Sequence, residues 1–83
     1  MAGDAETELR QIIAQHTSPP VRPSDILPDV PLPQQGVDSF AYMEILLDVE
    51  TVLGIRIDDE DLVVNNLDTL NHFRGMVEAR RQV

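Results

Sequence analysis

The chemically most informative stretch of the chain is Gly36-Val37-Asp38-Ser39-Phe40, in which an acid and a hydroxyl open a predicted helix. A serine at a helix start is held by the backbone while its side chain faces solvent, which suits covalent attachment of a group. Asp and Ser are also favoured N-cap residues, which bond to the free N–H groups of a helix. These five residues leave two alternatives open, an attachment site at Ser39 and a structural cap.

Other candidate chemistry is weaker. The chain has no cysteine, which excludes disulfides, thiolate metal sites and thiol nucleophiles. The acidic run 58–61 lacks the alternating acids, central glycine and distant glutamate of an EF-hand loop. We interpret it as the start of a short helix, where the helix dipole favours anions.

A hydrolase triad of Ser39, Asp38 and either His16 or His72 is a further alternative. The nucleophile elbow needs Gly-x-Ser-x-Gly on a strand-to-helix turn. Here the glycine stands three residues before the serine, and no strand is predicted ahead of it. We therefore expect both histidines to be surface or half-buried helix residues.

The composition describes one small acidic domain, spanning 1–83 with a helical core at about 4–80. Of 83 residues, 42% are hydrophobic, and six arginines face 15 acids for a net charge of −9. This charge disfavours nucleic acid and anionic membranes as partners and favours proteins with a basic patch. No apolar run approaches the ~20 residues of a membrane span. The start Met1-Ala2-Gly3-Asp4 lacks the regions of a secretion signal, so a cytoplasmic location is expected.

Hydrophobic periodicity predicts four helices. The first covers 4–16, capped by Asp4. The second covers 39–53 and stops at Gly54. A brief third helix runs from Asp58 to about Val63 and is broken at Asn65-Asn66. The fourth is capped by Thr69. The faces predicted to point inward are Ala5, Leu9, Ile12, Ile13 and His16 in the first helix, and Leu70, Phe73, Met76 and Val77 in the fourth. Phe40 is also assigned to the core.

All six prolines lie between Pro19 and Pro33, where they prevent a continuous helix or central strand. We interpret 17–37 as a long ordered connection. Four apolar residues in it are predicted to be tucked inward: Ile26, Leu27, Val30 and Leu32. The predicted fold class is all-α, a small four-helix bundle of three main helices and one short helix, with a long first loop.

Three motifs in order and at characteristic spacing resemble the acyl carrier protein family. The first is Gly36-Val37-Asp38-Ser39-Phe40, preceded by Leu32-Pro33-Gln34-Gln35-Gly36. The second is Leu53-Gly54-Ile55-Arg56-Ile57, and the third is Asn66-Leu67-Asp68-Thr69-Leu70. The resemblance covers about residues 4–80. Phe40 replaces a common leucine after the serine, and Gln35 replaces a usual leucine before the glycine.

The resemblance implies a function. Ser39, with Asp38 beside it, would receive 4′-phosphopantetheine from coenzyme A through a phosphopantetheinyl transferase. The thiol of this arm would hold acyl groups as thioesters for acyl-loading, condensing or other enzymes of polyketide or fatty-acid-type biosynthesis. The chain would be a freestanding, monomeric, non-catalytic carrier. Its partner-facing surface on the second helix would include Met43, Glu44, Leu47, Asp48 and Glu50. Leu46, Val49 and Leu53 would face the core.

Two further functional alternatives remain at this point. Peptidyl carriers of nonribosomal synthesis more often have Gly-Gly-x-Ser, so the Gly-x-Asp-Ser sequence favours an acyl carrier over a stand-alone peptidyl carrier. An unmodified acidic helical adaptor would use the same helix face without any arm. The modification of Ser39 distinguishes the adaptor from both carriers.

Overall fold

The first helix forms as its apolar spacing predicts. A computed structural model describes residues 5–64 and 66–81, and α1 spans Ala5–Gln15. The predicted cap Asp4 lies outside the described residues. The buried residues of α1 are Ala5, Leu9, Ile12, Ile13 and Ala14. His16 follows the helix in a turn, and its side chain is 18% exposed, so it is only half-buried.

The proline-rich connection is ordered over the core, with two short 3-10 helices at Pro23–Asp25 and Leu32–Gln35. Ile26 and Leu32 are buried as predicted, and Val30 is half-buried. The prediction for Leu27 was wrong, because its side chain is 54% exposed. The backbone at Ile26 is extended, so successive side chains point to opposite sides. The inward position of Ile26 therefore turns Leu27 outward.

The second helix, α2, spans Ser39–Leu53, and it ends at Gly54, whose φ of 66° is left-handed. Its buried residues are Ala41, Ile45, Val49 and Leu53, with Leu46 packed at the edge of the core. Phe40 was wrongly predicted to be buried, since it is 72% exposed. Phe40 precedes Ala41 by one residue and so lies about 100° around the helix from the buried stripe.

The last two helices are α3, Asp59–Val64, and α4, Leu70–Arg81. Asn66 has a φ of 50°, which agrees with the predicted break after α3; Asn65 lies outside the described residues. The Thr69 hydroxyl accepts a hydrogen bond from the His72 N–H at 3.1 Å, which confirms the predicted cap. All four residues of the predicted inner face of α4 are buried: Leu70, Phe73, Met76 and Val77.

The core lies where α1 packs against α2 and α4, with Phe73, Leu9, Ile13 and Ile45 fully buried. The described ranges contain four α-helices and no strand, which confirms the all-α prediction. Helix α3 is held from the side by Arg80, whose guanidinium donates to the Asp61 carboxylate and to the Arg56 carbonyl. The bundle thereby places the start of α2 beside α3 and the segment that leads into α4.

Candidate functional site

The Asp38 side chain, and not that of Ser39, caps α2. The Ala41 N–H donates to Asp38 Oδ1 at 2.8 Å, and Asp38 has the extended backbone of an N-cap residue. Ser39 is the first helical residue, and its side chain is exposed. The structural alternative for the Asp-Ser pair is thus satisfied by Asp38. The Ser39 hydroxyl remains available to solvent at the positive end of a helix of 15 residues.

Gly36 sets the approach of the chain to this helix start. Its φ is 89°, and a Cβ placed on it would lie 3.0 Å from the Ser18 carbonyl oxygen. The Ser18 N–H donates to the Gly36 carbonyl at 2.9 Å. Only glycine combines that left-handed backbone with so close a backbone contact. The glycine of the Gly-x-Asp-Ser motif therefore has a local physical cause.

Gln35, which stands where the family usually has leucine, organises the loop ahead of Gly36. Its Oε1 accepts from the Leu27 N–H at 2.8 Å, and its Nε2 donates to the Leu27 and Val30 carbonyls at 2.9 and 2.8 Å. One amide satisfies three backbone groups of a loop that the prolines keep out of regular structure. Sequence reasoning missed this role, because both the donors and the acceptors are backbone groups.

Three apolar side chains form an exposed strip along α2, which we call the apolar strip: Phe40, Met43 and Leu47, exposed by 72%, 63% and 61%. Two of them, Met43 and Leu47, were predicted to face outward. Phe40 was missed, although its spacing of three and seven residues from the others is helical. No lysine or arginine occurs in α2, so the strip lies on a helix whose charged side chains are all acidic.

The predicted surface acids of α2 are already engaged within the chain. His16 Nδ1 lies 3.3 Å from Glu44 Oε1, and His16 Nε2 lies 2.7 Å from Asp48 Oδ2. Both carboxylates stay partly exposed, at 44% and 43%. Glu50 instead accepts a hydrogen bond from the Ile57 N–H at 2.7 Å, which ties α2 to the link ahead of α3. Glu44 and Asp48 are thus brought together on one face, while Glu50 is bound to the backbone.

A pocket of about 400 Å³ opens beside Ser39, between the start of α2, α3 and the segment before α4. Tyr42 forms one wall. Its hydroxyl donates to the Leu67 carbonyl at 2.5 Å, and its ring meets Phe73 edge-on at 6.3 Å between centroids. Burial raises the pKa of Tyr42, and the Asp68 carboxylate raises it further. The phenol therefore stays protonated at neutral pH and continues to donate this bond.

The structure does not assemble the triad alternative. His16 pairs with Glu44 and Asp48, and His72 Nδ1 lies 2.9 Å from Asp68 Oδ1. The acidic run is used locally: the Asp58 N–H donates to Asp61 Oδ2 at 2.9 Å, which closes the first turn of α3. Within residues 5–64 and 66–81, no group of three or more histidine or acidic side chains is arranged to hold a metal ion.

No helix in the described part of the chain is both long enough and apolar enough to pass through a bilayer.

The residues at the helix start fit a phosphate-linked arm. Ser39 offers an exposed primary hydroxyl. The first N–H groups of α2 have no partner within the helix and point toward an anion placed there. The pocket beside Ser39 leaves room for part of a flexible chain.

Comparison with known proteins agrees with this geometry. A family model described as a phosphopantetheine attachment site matches residues 7–77. The chain is also 33% identical over 63 residues to the non-reducing polyketide synthase stbA of Stachybotrys bisbyi, a match that covers 76% of this chain and 3% of the synthase. The chain thus corresponds to a very small part of that relative. The match of the family model over most of the chain shows that this protein belongs to the phosphopantetheine-attachment family and is a carrier for covalently bound 4′-phosphopantetheine.

Proposed function

We propose that Ser39 Oγ carries the 4′-phosphopantetheine and that the loaded protein delivers acyl thioesters to enzymes of polyketide or fatty-acid-type biosynthesis. One observation carries the assignment: Ser39 is exposed at the first position of α2, while Asp38 does the capping. The motif around it matches the family's attachment sequence. The similarity to a polyketide synthase supports the acyl cargo over the aminoacyl cargo of a peptidyl carrier.

The chain's own residues prepare the site for a phosphodiester. Asp38 holds the first turn of α2 in place through the Ala41 N–H. The helix N-terminus then favours the negative charge of the phosphate that Ser39 would carry. When bound, the arm supplies a terminal thiol that this cysteine-free chain lacks. The carrier presents the cargo, and catalysis belongs to the partner enzymes.

The surface proposed to meet these enzymes combines the apolar strip with Glu44 and Asp48. Exposed apolar side chains are the usual anchors of an interface, and charge around them guides the approach of a partner. The chain's charge of −9 and the absence of basic residues from α2 fit a partner groove with apolar walls and a basic rim. The flexible Met43 suits a surface that meets several partners in turn. We place this role on a monomer.

The attachment is tested by mass. The purified chain is incubated with coenzyme A, magnesium and a broad-range phosphopantetheinyl transferase, and its intact mass is measured. The wild type and a Ser24→Ala control should gain one arm, because Ser24 is an exposed loop serine far along the chain from α2. Ser39→Ala should gain none.

A Ser39→Ala protein that still gains the arm would show that the site is elsewhere. A wild-type protein that gains nothing would favour the unmodified adaptor. Offering the modified protein to acyl-loading and amino-acid-activating enzymes then separates an acyl carrier from a peptidyl carrier.

A further inference from the structure

Two chambers meet at one side chain next to the start of α2. The first chamber is the pocket of about 400 Å³ beside Ser39. The second chamber, of about 190 Å³, lies farther along α2 against α3. Leu62 lines both chambers. This leucine of α3 is therefore the wall between them.

The two chambers differ in chemistry. The first has Ser39 at its mouth and polar groups from Asn66 and Asp68 in its lining. Such groups can hydrogen-bond a polar chain. The walls of the second are mostly apolar side chains, Met43, Leu46, Leu47, Ile57 and Leu62. A carbonyl-bearing chain placed there would lose its hydrogen bonds to water, whereas a saturated chain would not.

The wall rests on a short element. Helix α3 has six residues, and a helix of that length is not stable without contacts to the rest of the fold. Leu62 is half-buried at the edge of the core, while its neighbour Val63 is 81% exposed. Asp61, directly before Leu62, is bound by Arg80 of α4. The backbone of α3 is thus held at Asp61, and Leu62 is the side chain that can turn aside.

We infer that Leu62 separates a chamber for the arm from a chamber for cargo, and that it sets the length of saturated acyl chain shielded by the carrier. The inference rests on the proposed attachment at Ser39. A short chain stays in the first chamber, with Leu62 in place. A longer chain displaces Leu62 and enters the second chamber. The committed occupant is an unbranched saturated acyl group; a poly-β-keto chain of equal length stays in solvent.

The test uses the full chain, modified at Ser39 and loaded with butanoyl, hexanoyl, octanoyl or decanoyl groups. Two quantities are measured: the rate of thioester cleavage by hydroxylamine, and the methyl chemical shifts of Leu62, Leu46 and Leu47. Each methylene that enters a chamber should slow cleavage by up to about fourfold, the ratio supported by its transfer out of water. In the wild type this gain should stop at a definite length, beyond which the Leu62 shifts move.

Variants at the wall should change that length. Leu62→Ala should join the chambers and extend protection to longer chains, and Leu62→Phe should fill the passage and shorten it. The matched control is Val63→Ala, one residue along the same helix and exposed to solvent, which should behave as the wild type. Leu62→Phe keeps the test decisive if Leu62→Ala does not fold.

Each failure has a distinct meaning. Equal length limits in the wild type and both Leu62 variants overturn the wall. Cleavage that is independent of chain length, or equal protection of a β-keto chain, overturns the saturated-cargo chamber. Both results leave the proposed function intact, because the mass of the loaded protein reports attachment separately. A chain that never accepts the arm at Ser39 overturns the proposed function and this inference together.

Discussion

The Asp38 carboxylate accepts the Ala41 N–H at 2.8 Å, one residue before the exposed Ser39. Stability and modification are therefore assigned to neighbouring side chains. Replacing Asp38 by alanine should lower the free energy of unfolding by about 0.5–2 kcal/mol, the usual cost of a lost N-cap. Ser39→Ala should change it by less than about 0.5 kcal/mol, as for other surface sites. Urea unfolding followed by circular dichroism measures both, and a larger loss for Ser39→Ala would contradict the capping assignment.

Two glycines should respond oppositely to alanine. Gly36 has a φ of 89°, and its added Cβ would meet the Ser18 carbonyl at 3.0 Å. A left-handed alanine costs roughly 1–2 kcal/mol, and the contact adds to this, so Gly36→Ala should destabilise the fold. Gly75, within α4, has open space around an added Cβ. Gly75→Ala should stabilise by about 0.8–1 kcal/mol. Thermal unfolding of both variants is the measurement, and equal shifts would refute the strain at Gly36.

Charge reversal of the α2 acids should slow partner recognition. Glu44→Lys with Asp48→Lys should reduce the rate of acyl transfer from a cognate enzyme by roughly tenfold at low salt. Added salt should narrow the difference from the wild type. Glu78→Lys, on exposed α4 surface, is the control and should have little effect. Circular dichroism checks that the bundle persists without the His16 contacts. An unchanged transfer rate at low salt would exclude docking through these acids.

The bond between Arg80 and Asp61 should make acid stability depend on Arg80. The Arg80 hydrogen bond, followed by the Asp58 backbone bond, lowers the pKa of Asp61. A lowered pKa contributes stability that is complete above the usual Asp value of about 3.9 and is lost as pH falls through the lowered value. Arg80→Gln should return the Asp61 pKa toward that usual value and raise the pH of acid unfolding.

Carboxyl-carbon NMR titration of Asp61 reports the pKa directly. The matched control is Arg74→Gln, since Arg74 pairs with Glu6 and lies away from Asp61 in the contact network. A titration of Asp61 that Arg80→Gln leaves in place would show that the backbone bond, and not Arg80, lowers its pKa.

Local rules predicted the elements well. The spacing of Ile45, Val49 and Leu53 predicted the bounds of α2, and Gly54 and Thr69 acted as the stop and cap that their residue types indicate. Such signals depend on a few neighbouring residues. Leu27 and Phe40 were misplaced because their apolar character was weighed without the direction that the adjoining backbone imposes. The pairing of His16 with Asp48, 32 residues apart, depends on how α1 packs on α2 and has no local signal.

The division of labour at Asp38 and Ser39 extends to variants that cannot be modified. Such a chain keeps its outline and its acidic face. It would therefore act as a decoy, occupying any enzyme that recognises the helix and not the arm, and it would inhibit the assembly line in proportion to its abundance.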